Sequence, residues 1–147
     1  MRTPASIAKH PLHPMLVVFP IGLWIFSLIC DLIGLSVATS AVWFTVALYA
    51  MGGGLIGALA AAVPGLVDLF YYKGSAAPVK SIALTHMTIN LTAVALYAVN
   101  VWLRVSRPEH LELPIILSVI GVCMIAVSGW LGGQMVHVYG VSVEVRE

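Results

Sequence analysis

Imidazoles are the first chemistry this chain offers. His10 and His13 stand in "HPLHPMLVVFP" (residues 10–20), each followed by proline. His86 lies in "LTHMTINLTAVALY" (84–97), and His137 follows "GWLGGQMV" (129–136). Neutral imidazole is a nitrogen donor to transition metals and to haem iron. Asp68 and Asn90 are an acid and an amide of the kind that orient such rings from behind. The fifth histidine, His110, sits among Glu109 and Glu112 and reads as a solvated loop residue.

These residues need elements to position them, and the composition says which. The chain has 147 residues, 61% hydrophobic and 9% charged, too much apolar surface for a soluble domain of this size to bury. Lipid must be the solvent for much of it. Four apolar stretches, about 15–35, 41–69, 81–105 and 114–136, reach the ~20 residues that cross a bilayer. Their short connections predict an all-α membrane protein: one domain over residues 1–147, built as an antiparallel four-transmembrane-helix bundle. No linker, low-complexity tract or internal repeat is legible. The first apolar stretch outlasts the roughly 7–15 residues of a signal-peptide core, so it is kept as a helix of the mature protein. A net charge of +1, with basic residues scattered, argues against a nucleic-acid partner.

With four spans, both termini and the second connection share one side. That side carries Arg2, Lys9, Lys73, Lys80 and Arg146, against Arg104 and Arg107 opposite, which predicts cytoplasmic termini. Tyr71, Tyr72, Trp130 and Tyr139 fall near the same interface, and Trp43 and Trp102 near the other. His10, His13, His86, His137 and Asp68 then converge on the cytoplasmic leaflet, contributed by all four helices. His86, about five residues into the third span, lies roughly 8 Å below the boundary at about 1.5 Å per residue. An ionisable group there faces the bundle interior and has a partner, and Asn90 is one turn away on the same face. Pro11 and Pro14 suit a first helical turn and hold His10 and His13 in an extended approach to it. Pro20 is expected to kink the first helix and open space at that end.

Other patterns have plainer readings. "GGGLIG" matches a dinucleotide fingerprint through Gly52, Gly54 and Gly57, but inside a spanning helix it has no strand before it and no free amides. Small-residue helix packing through Gly53, Gly57 and Ala61 explains it better, within one chain or between copies. "NLT" at Asn90 is a glycosylation pattern lying within the membrane. Cys30 and Cys123 are read as small buried hydrophobes.

"HPLHPMLVVFPIGLW", "AAVPGLVDLF", "LTHMTINLTAVALY" and "GWLGGQMVHVYGVSV" together resemble domain-of-unknown-function family 2231, small bacterial membrane proteins with four spans. The resemblance covers nearly the whole chain. It carries over His10, Pro11, His13 and Pro14 in the first motif, with Pro20 beyond them. Pro64, Gly65 and Asp68 follow in the second motif, His86 and Asn90 in the third, and Gly132, Gly133 and Gly140 in the fourth. Gln134 and Tyr139 depart from the family pattern, which weakens a ligand role for the end of the fourth helix. Relatives fused to Rieske domains imply a redox context, and the family implies a bacterial cytoplasmic membrane.

The leading expectation is an electron-transfer subunit binding b-type haem through His86 and His13, with His10 or His137 as substitutes and Asp68 or Asn90 behind them. The alternative is a divalent-metal site, zinc or another ion, on His10, His13, Asp68 and His86. A third is a non-catalytic accessory subunit of a larger membrane complex. Enzyme catalysis ranks lowest, since no nucleophile–base–acid pattern or phosphate loop is present.

Overall fold

The computed structural model describes residues 4–71 and 77–143. Arg2, Tyr72, Lys73 and Arg146, used above for orientation, lie outside the described residues. A short hairpin pairs β1 (Ser6–Ile7) antiparallel with β2 (His10–Pro11). Five helices follow: α1 (Leu12–Leu16), α2 (Val18–Ser36), α3 (Ser40–Tyr71), α4 (Ala77–Ser106) and α5 (Glu112–His137). Four segments are long and apolar enough to cross a membrane: Leu12–Ser36, Ser40–Tyr71, Pro78–Ser106 and Glu112–His137. The predicted spans are found, with boundaries shifted by a few residues. The largest shift puts the start of α4 four residues earlier, so His86 is nine residues, about 14 Å, from that helix end.

The division at Val17 has a local cause. Pro20 has no amide to donate to Leu16, so the ladder loosens in the turn before it. The expected extra space does not appear: a Cβ on Gly57 would stand 2.9 Å from Phe19 Cβ, so α3 fills that corner. His13 also differs from expectation. Only His10 is extended, whereas His13 lies in the first turn of α1.

Neighbouring helices pack in the order α2–α3–α4–α5–α2, closest within the hairpins α2/α3 and α4/α5. The buried residues repeat with alternating steps of four and three: Pro20, Trp24, Ser27, Asp31 and Gly34 on α2, and Pro114, Ser118, Gly121, Ile125 and Ser128 on α5. That spacing is the inner seam of a left-handed bundle. Small residues on the seam let large ones seat across it. A Cβ on Gly54 would strike the Trp24 ring at 2.3 Å, and one on Gly121 the Tyr97 ring at 2.5 Å. Trp24 and Tyr97 stack at the core, ring centroids 4.1 Å apart and 11° from parallel. The glycine run of α3 is thus packing surface. Outward faces are apolar, as lipid requires. Outward hydroxyls of Thr45, Thr88 and Thr92 donate to carbonyls one turn back instead. Cys30 is buried as expected, but Cys123 is exposed on the outside of α5.

Contrary to the sequence reading, the chain does contain an internal repeat. Three side-chain pairs cross from the first half to α4, and each joins residues 73 apart: His13–His86, Trp24–Tyr97 and Asp31–Arg104. Their seats on the return helices are 67 apart. His13 reaches the Ala61 carbonyl and His86 that of Ser128; Trp24 reaches the Met51 carbonyl and Tyr97 that of Ser118. The unit α1–α2–α3 and the unit α4–α5 are the same packing solution used twice, with the three crossing pairs between them.

Candidate functional site

His13 and His86 form the centre of the site. Their ring centroids are 6.2 Å apart and their planes 85° from parallel. His13 Nδ1 lies 2.8 Å from the Ala61 carbonyl oxygen, and the ring lies over Gly65, where a Cβ would come within 2.7 Å of it. Pro64 loosens this turn by removing the donor to Ala60, a defect that spanning helices tolerate where neighbours supply hydrogen bonds. His86 Nδ1 lies 2.9 Å from the Ser128 carbonyl oxygen, with Ser128 Oγ equally near. A carbonyl can only accept, so in each ring Nδ1 carries a proton, and in the neutral ring Nε2 then holds the lone pair. The two rings therefore present equivalent nitrogens, each fixed by a backbone oxygen of a neighbouring helix.

Asn90 sits one turn beyond His86, as its spacing predicted. Its Nδ2 is 3.1 Å from His86 Nε2, 2.9 Å from the His86 carbonyl and 2.7 Å from Ser128 Oγ. Two protons are shared among three acceptors. Asp68 lies one turn past Gly65 on α3, within electrostatic range of His13. Its Oδ1 accepts the backbone N–H of Ala5 at 3.0 Å, which ties the N-terminal segment across this end of the bundle.

The remaining expected ligands do not join. His10 is exposed on β2, and its Nδ1 reaches the Ala8 carbonyl at 2.9 Å within its own hairpin. The turn there places Ala8 and Lys9 at φ of 49° and 69°, a two-residue reversal that aims His10 away from α1. His137 is exposed at the last position of α5, with no hydrogen bond to the other histidines among the described residues. His110 is exposed, 3.8 Å from Glu109. Among the described residues no group of three or more His, Cys, Asp or Glu is placed to hold a metal ion.

A second polar cluster occupies the opposite end. Arg104 grips Asp31 with two N–H groups, at 2.8 and 2.6 Å, and donates its Nε–H to Asn100 Oδ1 at 3.0 Å. Asn100 donates to the Pro114 carbonyl and to Ser118 Oγ. Asp31 is 0% and Arg104 4% exposed, yet no buried polar side-chain atom among the described residues lacks a partner. The sequence alone suggests Arg104 only as a charge at the end of the third span, and it does not single out Ser118 or Ser128. The missed signal lay on α4 itself, where His86, Asn90, Tyr97, Asn100 and Arg104 recur at the seam spacing within an apolar helix.

Neither the curated proteins nor the solved structures include a match to this chain. A family model described as a predicted membrane protein, DUF2231, matches residues 9–145. That match spans β2, all four membrane segments and the side chains of both polar clusters, and the chain belongs to the DUF2231 family of predicted membrane proteins.

Proposed function

We propose that this membrane protein transfers electrons through a b-type haem, which His13 and His86 would hold. The supporting observation is the imidazole pair. Two imidazoles binding one metal from opposite sides, at about 2 Å per nitrogen, have ring centres about 6 Å apart, close to the observed 6.2 Å. The Nδ1–H groups anchored on Ala61 and Ser128 leave Nε2 as the donor, the arrangement that metal-ligating histidines share. Haem iron asks the protein for only two donors, whereas zinc asks for three or four. The donor set of the described residues suits the first better.

Bound haem supplies one-electron iron chemistry. The carbonyls of Ala61 and Ser128 fix the planes of the two rings. The Trp24–Tyr97 stack and Met51 close the bundle towards the other leaflet and keep water from that side. Asp68, held by the Ala5 amide, places negative charge beside His13 and would favour the more positive, oxidised state of a centre held there. The charge asymmetry supports cytoplasmic termini in a bacterial inner membrane, with a redox protein or larger complex as partner at that face.

An absorption spectrum of protein purified from haem-supplemented cells tests this. A Soret band that is lost in both His13→Ala and His86→Ala supports the proposal. Absence of the band in the parent protein after supplementation refutes it, and stoichiometric metal without the band would favour the divalent-ion alternative.

A further inference from the structure

The two halves of the imidazole site share one plan and differ in a few side chains, among them Ala61 against Ser128. Each histidine is fixed through Nδ1 on a carbonyl of the following helix, and each packs beside a glycine of that helix, Gly65 or Gly132. One turn after each histidine the halves diverge. His86 is followed by Asn90, whose amide approaches Nε2 at 3.1 Å. His13 is followed by Val17, which has nothing to donate, and among the described residues no hydrogen bond reaches His13 Nε2. The nitrogens are chemically the same and differ in whether the lone pair is already engaged.

We propose that Asn90 is a positioning residue that holds His86 in reserve. His13 is the first donor to an incoming metal centre, and His86 joins only when the Asn90 amide turns away. In the structure the amide has two protons for three acceptors, so Ser128 Oγ at 2.7 Å and the His86 carbonyl at 2.9 Å can take both of them when Nε2 is given up. Releasing Nε2 therefore costs one shared hydrogen bond, small enough to keep both coordination states within reach. A centre held there would have His13 as a ready donor and His86 as a conditional one, and a small exogenous ligand would compete with His86. This rests on the imidazole-pair reading above and sharpens it.

Two variants exchange the residues at this position. Asn90→Val removes the amide from beside His86, and Val17→Asn places one beside His13, where Ala61 offers no hydroxyl of the kind Ser128 gives Asn90. In ligand-free protein with ¹⁵N-labelled histidine, Asn90→Val should move the His86 Nε2 resonance downfield to that of an unbonded nitrogen. Val17→Asn should move the His13 resonance upfield. With haemin added to the detergent-solubilised protein, Asn90→Val should shift the spectrum towards the low-spin, two-imidazole form. It should also weaken carbon monoxide binding to the reduced protein roughly fivefold, the worth of one such hydrogen bond. Should Asn90→Val fold poorly, Asn90→Ala and Val17→Asn carry the same comparison. Unchanged resonances and unchanged carbon monoxide affinity, in protein that does show a Soret band, would overturn the proposal. Shifted resonances with no Soret band in any variant would uphold the role of Asn90 and sink the haem assignment instead.

Discussion

Replacing Arg104 with leucine should be among the most damaging single changes in this protein. The substitution removes three donors at once: two to Asp31, at 2.8 and 2.6 Å, and one to Asn100 at 3.0 Å. It leaves the Asp31 carboxylate, 0% exposed, without its counter-charge inside the bundle. Breaking a buried pair from one side costs about 3–5 kcal/mol, because the remaining charge has been desolvated for nothing. Asp31→Leu should cost a similar amount. The double variant Asp31→Leu/Arg104→Leu should cost far less than the sum, since two apolar residues of similar bulk need no partner and replace a pair whose desolvation offsets most of its attraction. A double-mutant cycle on reversible unfolding by dodecyl sulfate in mixed micelles measures this, with a coupling of at least ~3 kcal/mol expected. Additive single and double variants, or a cost below ~1 kcal/mol for Arg104→Leu, would refute the view that this pair is a closed and interdependent unit.

Three further outcomes follow from the same geometry. Gly65→Ala should displace His13, because the new Cβ would lie 2.7 Å from its Nδ1, whereas Gly132→Ala meets His86 at 3.4 Å, an ordinary contact. Haem titration should show weakened uptake for the first and near-parental uptake for the second. Gly121→Ala forces a Cβ to 2.5 Å from the Tyr97 ring and should destabilise the bundle by about 1–3 kcal/mol in micelle unfolding, with the loss of the Trp24–Tyr97 stacking signal in near-ultraviolet circular dichroism. His10→Ala, His110→Ala and His137→Ala should leave bound haem and thermal stability within error of the parent, all three rings being exposed and none hydrogen-bonded to the pair among the described residues.

The legible part of this fold was whatever hydropathy and spacing encode. The four spans, the antiparallel bundle and the pairing of His86 with Asn90 follow from runs of apolar residues and from one turn of helix. His10 looked equivalent to His13 because both precede proline three residues apart; the tight reversal at Ala8–Lys9 separates them, and neither residue type advertises positive φ. Arg104 looked like a topology charge because it stands near a loop. Its burial depends on Asp31, 73 residues earlier, which no local pattern connects to it. The repeat escaped notice for a related reason. Tryptophan answers tyrosine, alanine answers serine, and what persists between the halves is the carbonyl or the vacancy that receives each side chain. A backbone acceptor leaves no trace in residue identity.

The duplicated design also bears on how the chain enters the membrane. α4 emerges from the insertion machinery carrying His86, Asn90, Asn100 and Arg104, the most polar load of any span, and its partners Ser118 and Ser128 have not yet been synthesised. The first hairpin is already in place by then, with Asp31 in one leaflet and His13 in the other, each facing the position its counterpart on α4 will take. In the folded bundle α4 therefore meets a counter-charge, an aromatic surface and an imidazole at matched depths. Replacing Asp31 or Trp24, which stand 73 residues before their partners on α4, is therefore expected to lower the fraction of α4 that inserts when the chain is translated into membranes.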